Sequence, residues 1–293
     1  MRALSGLALL VWILSGCVHA PPGIEARGAT AKAIAETAGW EPVRIVTHNF
    51  VLAAYAPAVS GYSVDVLTIY VEGDGLAWLN VATVSSDPTP RNPLALRLAV
   101  QHPGGAAAWL ARPCQYVTGE ARRGCAEKWW TSHRFAEEVI AASNSAIDEL
   151  KYRAHARQVA LVGYSGGAAV AALVAARRTD VASLTTVAGN LDPALWTQWH
   201  ALTPLSGSLN PVDVALSLSH VPQTHWVGGR DKVVGRRLAD SFAARMPADT
   251  QPRISVLEEA DHYCCWAERW LQILISPPPI VNAIALKGPT RRR

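Results

Sequence analysis

Phenylalanine and methionine are scarce in this chain, with 3 and 2 copies among 293 residues, whereas tryptophan occurs 11 times. A GC-rich coding bias explains that skew as readily as function does, so composition alone gives the tryptophans no role. Excess charge is scarce too: the formal net charge is +4, and Arg291, Arg292 and Arg293 supply much of it. No basic stripe with interleaved aromatic residues runs along the chain, which argues against nucleic acid as a partner. No internal repeat is evident. What the chain does have is apolar bulk. Half its residues are hydrophobic, and its length suits one large α/β domain or two small ones.

The N-terminus reads as a targeting segment. Arg2 is a minimal positive region, and the apolar run Leu4 to Leu14 is too short to span a bilayer as a mature helix. The run ends in Leu14-Ser15-Gly16-Cys17, which resembles the lipobox of bacterial lipoproteins. That resemblance implies a signal peptide over residues 1–16 and a lipid on Cys17. Val18, where an aspartate would signal retention, implies the outer membrane, facing the periplasm. Acyl chains anchor a protein by about 0.8 kcal/mol per buried CH₂. The competing reading is an ordinary secretory signal cut near Ala20.

Setting Cys17 aside leaves four of the five cysteines. An even count in an exported chain points to disulfides. Cys114 and Cys125 are placed to close a local loop. Cys264 and Cys265 are neighbours, about 3.8 Å apart at Cα across a trans peptide, so a vicinal bridge carries strain. Crossed pairs between the two groups are the alternative. The spacing is not a zinc pattern, so no metal site is expected.

The rest of the chain alternates strand and helix. A tether over 17–40 holds one short helix, Thr30 to Thr37. Strands Val43–Thr47 and Val51–Tyr55 read as an opening antiparallel pair. Val66–Val71 is a continuous apolar run before Glu72-Gly73-Asp74-Gly75, the pattern of a strand buried on both faces. A proline-rich loop over 85–93 leads to a helix Leu94–Gln101, with Asn92 as N-cap. Strand Ala106–Leu110, a polar loop over 117–130 and a helix His133–Lys151 follow. In that helix Phe135, Val139, Ala142, Ala146 and Leu150 recur at helical spacing. Strand 158–162 and helix 168–176 flank Gly163-Tyr164-Ser165-Gly166-Gly167. Strands Val181–Val187, Thr224–Val227 and Arg253–Leu257, and helices Leu238–Met246 and Trp266–Ile275, complete the series. Residues 190–222 break the rhythm as an irregular insertion. This alternation predicts an α/β fold with a mostly parallel central sheet and helices on both faces. The domain spans 41–276, and a tail occupies 277–293.

The glycine-flanked Ser165, with a strand before it and a helix after it, is the G-x-S-x-G arrangement of a nucleophile elbow. Asp231, in Gly228-Gly229-Arg230-Asp231, and His262 follow in chain order. Each lies just past the C-terminal end of a predicted strand, and those ends share one edge of a parallel sheet. The order Ser, acid, His and these motifs resemble the α/β-hydrolase superfamily, of the serine esterase and lipase type, over residues 43–275. That resemblance implies Ser165 as nucleophile, His262 as base and Asp231 as the acid that orients it. It implies the Gly166 N–H as one oxyanion donor and the Asp74 N–H as the second. Glu72 stands where lipases often carry histidine. Two carboxylates therefore fall near a developing oxyanion and must turn away or pair with a cation such as Arg112.

Other readings compete. Ser165 could cap a helix, Asp231 could serve only a turn, and Asp192 is a rival acid one strand earlier. Cys264 or Cys265 beside His262 suggests a cysteine hydrolase, although adjacent residues seldom orient as nucleophile and base. Trp129, Trp130, Trp196 and Trp199 either line an acyl pocket or pack the core. The implied activity is hydrolysis of a small-molecule or lipid acyl ester, without metal or organic cofactor, by a membrane-anchored enzyme. Acyl transfer with the same residues, or a catalytically silent envelope scaffold, are the alternatives. The oligomeric state is not legible.

Overall fold

The computed structural model describes residues 22–58, 63–104 and 106–275. Cys17, the lipobox and the tail over 277–293 lie outside them. In chain order the strands are β1 (Trp40–Val46), β2 (Val51–Pro57), β3 (Val66–Val71), β4 (Trp78–Asn80), β5 (Thr83–Val84), β6 (Ala107–Leu110), β7 (Gln158–Tyr164), β8 (Val181–Val187), β9 (Gln223–Gly228) and β10 (Arg253–Leu257). The helices are α1 (Ile24–Thr37), α2 (Leu94–Ala99), α3 (Glu137–Arg153), α4 (Gly166–Ala175), α5 (Pro193–Trp199), α6 (Arg237–Ala243) and α7 (Trp266–Ile275).

Eight strands form one sheet in the order β1-β2-β6-β3-β7-β8-β9-β10, and β4 and β5 form a separate hairpin. β1 and β2 pair antiparallel, and β2 joins β6 antiparallel. From β6 to β10 every pairing is parallel. The burial of β3 explains its place: from Leu67 onward each of its residues is buried, as a strand covered on both faces requires. Two apolar cores flank the sheet. One gathers side chains of α3, α4 and α6; the other gathers α1, α2 and α7. All ten residues of α4 are buried, and its run of alanines lets the helix lie close to the strands. The spaced apolar positions of α3 are buried as their period predicts, with Phe135 just ahead of the helix.

Three local differences from the sequence reading have local causes. α1 begins at Ile24, well before Thr30, and buries Ala31 and Ala35. Arg27 ties it to the proline-rich loop, donating to the Asp87 and Thr89 carbonyls. Asn92 does not cap α2. Pro93 holds the cap position, and the Asn92 side chain accepts from Arg97 Nε at 2.5 Å. The insertion at 190–222 contains a regular element, α5, opened by Asp192 and Pro193. No described helix is long and apolar enough to cross a membrane.

Both sulfur pairs are local: Cys114 bonds to Cys125, and Cys264 to Cys265. The crossed alternatives are excluded.

Candidate active site

β3 sends the chain to β6 on one side, and β7 lies against it on the other. Such a switch opens a crevice at the carboxyl ends of the strands. Asp74, Ser165, Asn190, Asp231 and His262 all follow strand ends here: β3, β7, β8, β9 and β10 respectively.

Ser165 sits at the tip of the strand-to-helix turn with φ +53° and ψ −120°. A side chain at positive φ is strained unless its surroundings hold it there. Three backbone bonds do so: its N–H donates to the Val187 carbonyl, and its carbonyl accepts from Ala168 and Asn190. The turn also demands close backbone approach. A Cβ on Gly163 would lie 2.4 Å from the Ala168 Cα, and one on Gly167 would lie 2.3 Å from the Val71 oxygen. The Ser165 hydroxyl makes no helix-capping bond. It lies 3.0 Å from His262 Nε2.

His262 Nδ1 is 2.9 Å from Asp231 Oδ2. The other carboxylate oxygen accepts the N–H groups of Val233 and Val234, both at 2.8 Å. An ionised carboxylate only accepts, so Nδ1 carries the proton and Nε2 is left to accept from the serine. Asp231 and His262 are both buried. The rival Asp192 is engaged elsewhere: it caps α5 through the Leu195 N–H and accepts from Asn210 and Ser241. Neither sulfur of the 264–265 pair is available as a thiol.

The two carboxylates after β3 have separate fates. Glu72 is turned away from the crevice floor. Its oxygens accept the Gly73 and Ala95 N–H groups and the Trp109 indole, the last at 3.0 Å. It thereby caps α2 from 23 residues away. Burial pushes its carboxyl up to about 7, against the pull of those donors. Asp74 pairs with Arg112 at 3.0 Å and with Arg134 at 2.7 Å. Burial alone would raise its carboxyl, but the charges and hydrogen bonds of the two arginines hold it below the usual carboxylate range. Arg112 is the cation the sequence suggested. Arg134 was not foreseen, because 60 residues separate it from Asp74.

The Gly166 N–H, first in α4, has no intrahelical acceptor. The Asp74 N–H likewise meets no acceptor among the described residues. A cavity of about 560 Å³ opens at this point, lined by Ser165, His262, Trp78, Arg134, Asn190 and Trp196 among others. Of the four tryptophans considered, only Trp196 reaches it. Trp130 is buried and donates to the Ser85 carbonyl, Trp129 packs on Phe50, and Trp199 stacks on His200. Among the described residues no three or more His, Cys, Asp or Glu side chains are grouped so as to hold a metal ion.

No protein-family model and no curated protein matches the sequence. Solved structures do resemble it. An esterase of Pyrococcus furiosus matches at 15% identity and a TM-score of 0.54, over 80% of this chain and 88% of its own. The esterase domain of a Rhodothermus marinus protein matches at 14% and 0.53, over 80% and 94%. An acylaminoacyl peptidase of Pyrococcus horikoshii matches at 13% and 0.53, over 79% of this chain and 39% of its own. At these identities the likeness is one of fold.

Proposed function

We propose that this chain, which has the α/β-hydrolase fold, is a serine hydrolase that cleaves an ester or related acyl bond through an acyl-enzyme. The carrying observation is the unbroken line Ser165 Oγ, His262, Asp231, with both links within 3.0 Å, and with Ser165 and His262 lining a cavity. His262 takes the serine proton as Ser165 attacks the carbonyl carbon, and returns it to the leaving group. Asp231 fixes the tautomer and stabilises the imidazolium. The N–H groups of Gly166 and Asp74 receive the oxyanion, a contribution of about 10²–10³ in rate per donor in such sites. Water then releases the acyl group by the same route in reverse. Glu72 faces α2 and the Trp109 indole rather than the developing oxyanion.

A fluorophosphonate probe tests the reading. It should label the wild type and miss Ser165→Ala; equal labelling of both sinks the proposal. Product analysis with and without alcohol acceptors separates hydrolysis from acyl transfer.

The lipobox adds a second element: Cys17 carries lipid and holds the enzyme at the outer membrane, facing the periplasm. Cys17→Ser should move the protein from the membrane fraction to the soluble periplasm. Unchanged fractionation removes this element and leaves the chemistry standing.

A further inference from the structure

We infer that the substrate carries an anionic group, a carboxylate or phosphate, close to its scissile bond, and that Arg134 receives it. The inference rests on the serine-hydrolase reading above and names the substrate class of that site.

The charge balance at the crevice points this way. The Asp74 carboxylate lies against the first residue of the nucleophile helix: a Cβ on Gly166 would stand 2.0 Å from Asp74 Oδ1. An unbalanced carboxylate there would oppose negative charge at Ser165. Two guanidiniums meet it, however, so the cluster of Asp74, Arg112 and Arg134 keeps one positive charge. The other carboxyl lining the cavity, Glu72, directs its oxygens at Gly73, Ala95 and Trp109 and pairs with neither arginine. Arg91, exposed and lining the same cavity, adds a further cation.

The two arginines are not equivalent. Arg112 is the inner one: Nη1 binds Asp74, Nη2 binds the Arg134 carbonyl, and the residue does not line the cavity. Arg134 does line it. Its Nη1 donates to Asp74 and its Nε to the Thr131 carbonyl at 2.9 Å. The described residues give its Nη2 no acceptor. The guanidinium also lies over the Trp196 ring, 5.8 Å from the centroid. A held guanidinium with an unused donor at the wall of a cavity is suited to a charge-assisted bond with an anion.

The test compares two esters of similar size on the purified chain: neutral 4-nitrophenyl butyrate and anionic 4-nitrophenyl hemisuccinate. The wild type should show kcat/KM at least tenfold higher for the anionic ester. Arg134→Gln should bring that ratio close to one, and Arg134→Lys should keep a clear preference. The ratio is the readout, so a general loss of activity cancels. Free glutarate should competitively inhibit the wild-type reaction on the neutral ester, which reads the same feature without any variant. A wild-type ratio of one or less, or an unchanged ratio in Arg134→Gln, overturns the inference alone. No turnover of either ester, with Ser165 unlabelled by fluorophosphonate, overturns the function reading with it.

Discussion

The Tyr164 hydroxyl donates to the His262 backbone carbonyl at 2.8 Å. The residue immediately before the elbow serine thus holds the loop that carries the imidazole, 98 positions later in the chain. The two rings also lie near each other, with centroids 5.5 Å apart. Tyr164→Phe removes a buried hydrogen bond, a loss of about 1 kcal/mol. The melting temperature should fall by about 2–4 °C. The kcat should fall several-fold more than a stability change alone explains, since small misplacements of a base are costly. Calorimetry beside steady-state kinetics checks both; unchanged kcat would show that the loop is held by other contacts.

Asp231 and Asp192 should separate cleanly. In Asp231→Asn the two N–H groups of Val233 and Val234 keep the amide oxygen, so the amide NH₂ faces His262 Nδ1. That imposes the wrong tautomer and should lower kcat by about 10⁴ with the fold intact. Asp192→Asn keeps a competent helix cap and should stay within a few-fold of wild-type activity. The reverse ranking would reassign the acid.

The Glu72 carboxyl titrates near 7 in the folded protein and near its ordinary value of about 4.3 when unfolded. Between those values the folded state binds the extra proton. Stability is therefore fully held at low pH and falls as pH rises through about 7, by roughly 4 kcal/mol in total. Urea midpoints measured from pH 4.5 to 8 should show this decline, and Glu72→Gln should flatten it. A wild-type midpoint that rises across the same range contradicts the assignment.

The two disulfides should differ in what they hold. The Cys114–Cys125 bridge spans 11 positions, and a loop of that length stabilises by about 3 kcal/mol. The Cys264–Cys265 bridge joins neighbours and closes almost no chain. Replacing both cysteines of the first pair with alanine should lower stability by that amount. The same change in the second pair should leave stability nearly intact yet lower kcat, because the bridge braces the turn just after His262. Denaturant unfolding and esterase assays on both double variants decide the point.

Much of the scaffold was written in local pattern. The strands Val66–Val71, Val181–Val187 and Arg253–Leu257 and the helix Trp266–Ile275 occur within the bounds their residues suggested, because glycine, proline or charge closes each run. The order of Ser165, Asp231 and His262 was equally legible, and the structure brings these three together. Longer-range chemistry was not. Glu72 finds its partners at Ala95 and Trp109, and Asp74 finds Arg134, only once the sheet assembles. Asn92 shows the opposite failure: a good local cap lost to an arginine one turn on. Nothing in the sequence near Asn190 marks it as a cavity residue.

The contact between Gly166 and Asp74 ties two loops into one heritable unit. Any side chain at 166 would overlap the Asp74 carboxylate, so a mutation there must await a smaller residue at 74. That residue would in turn strand Arg112 and Arg134 as unpaired cations. Exchanging either loop alone therefore leaves a steric overlap at 166 or an uncompensated charge at the arginines. The elbow and the loop after β3 must be exchanged together, with both arginines.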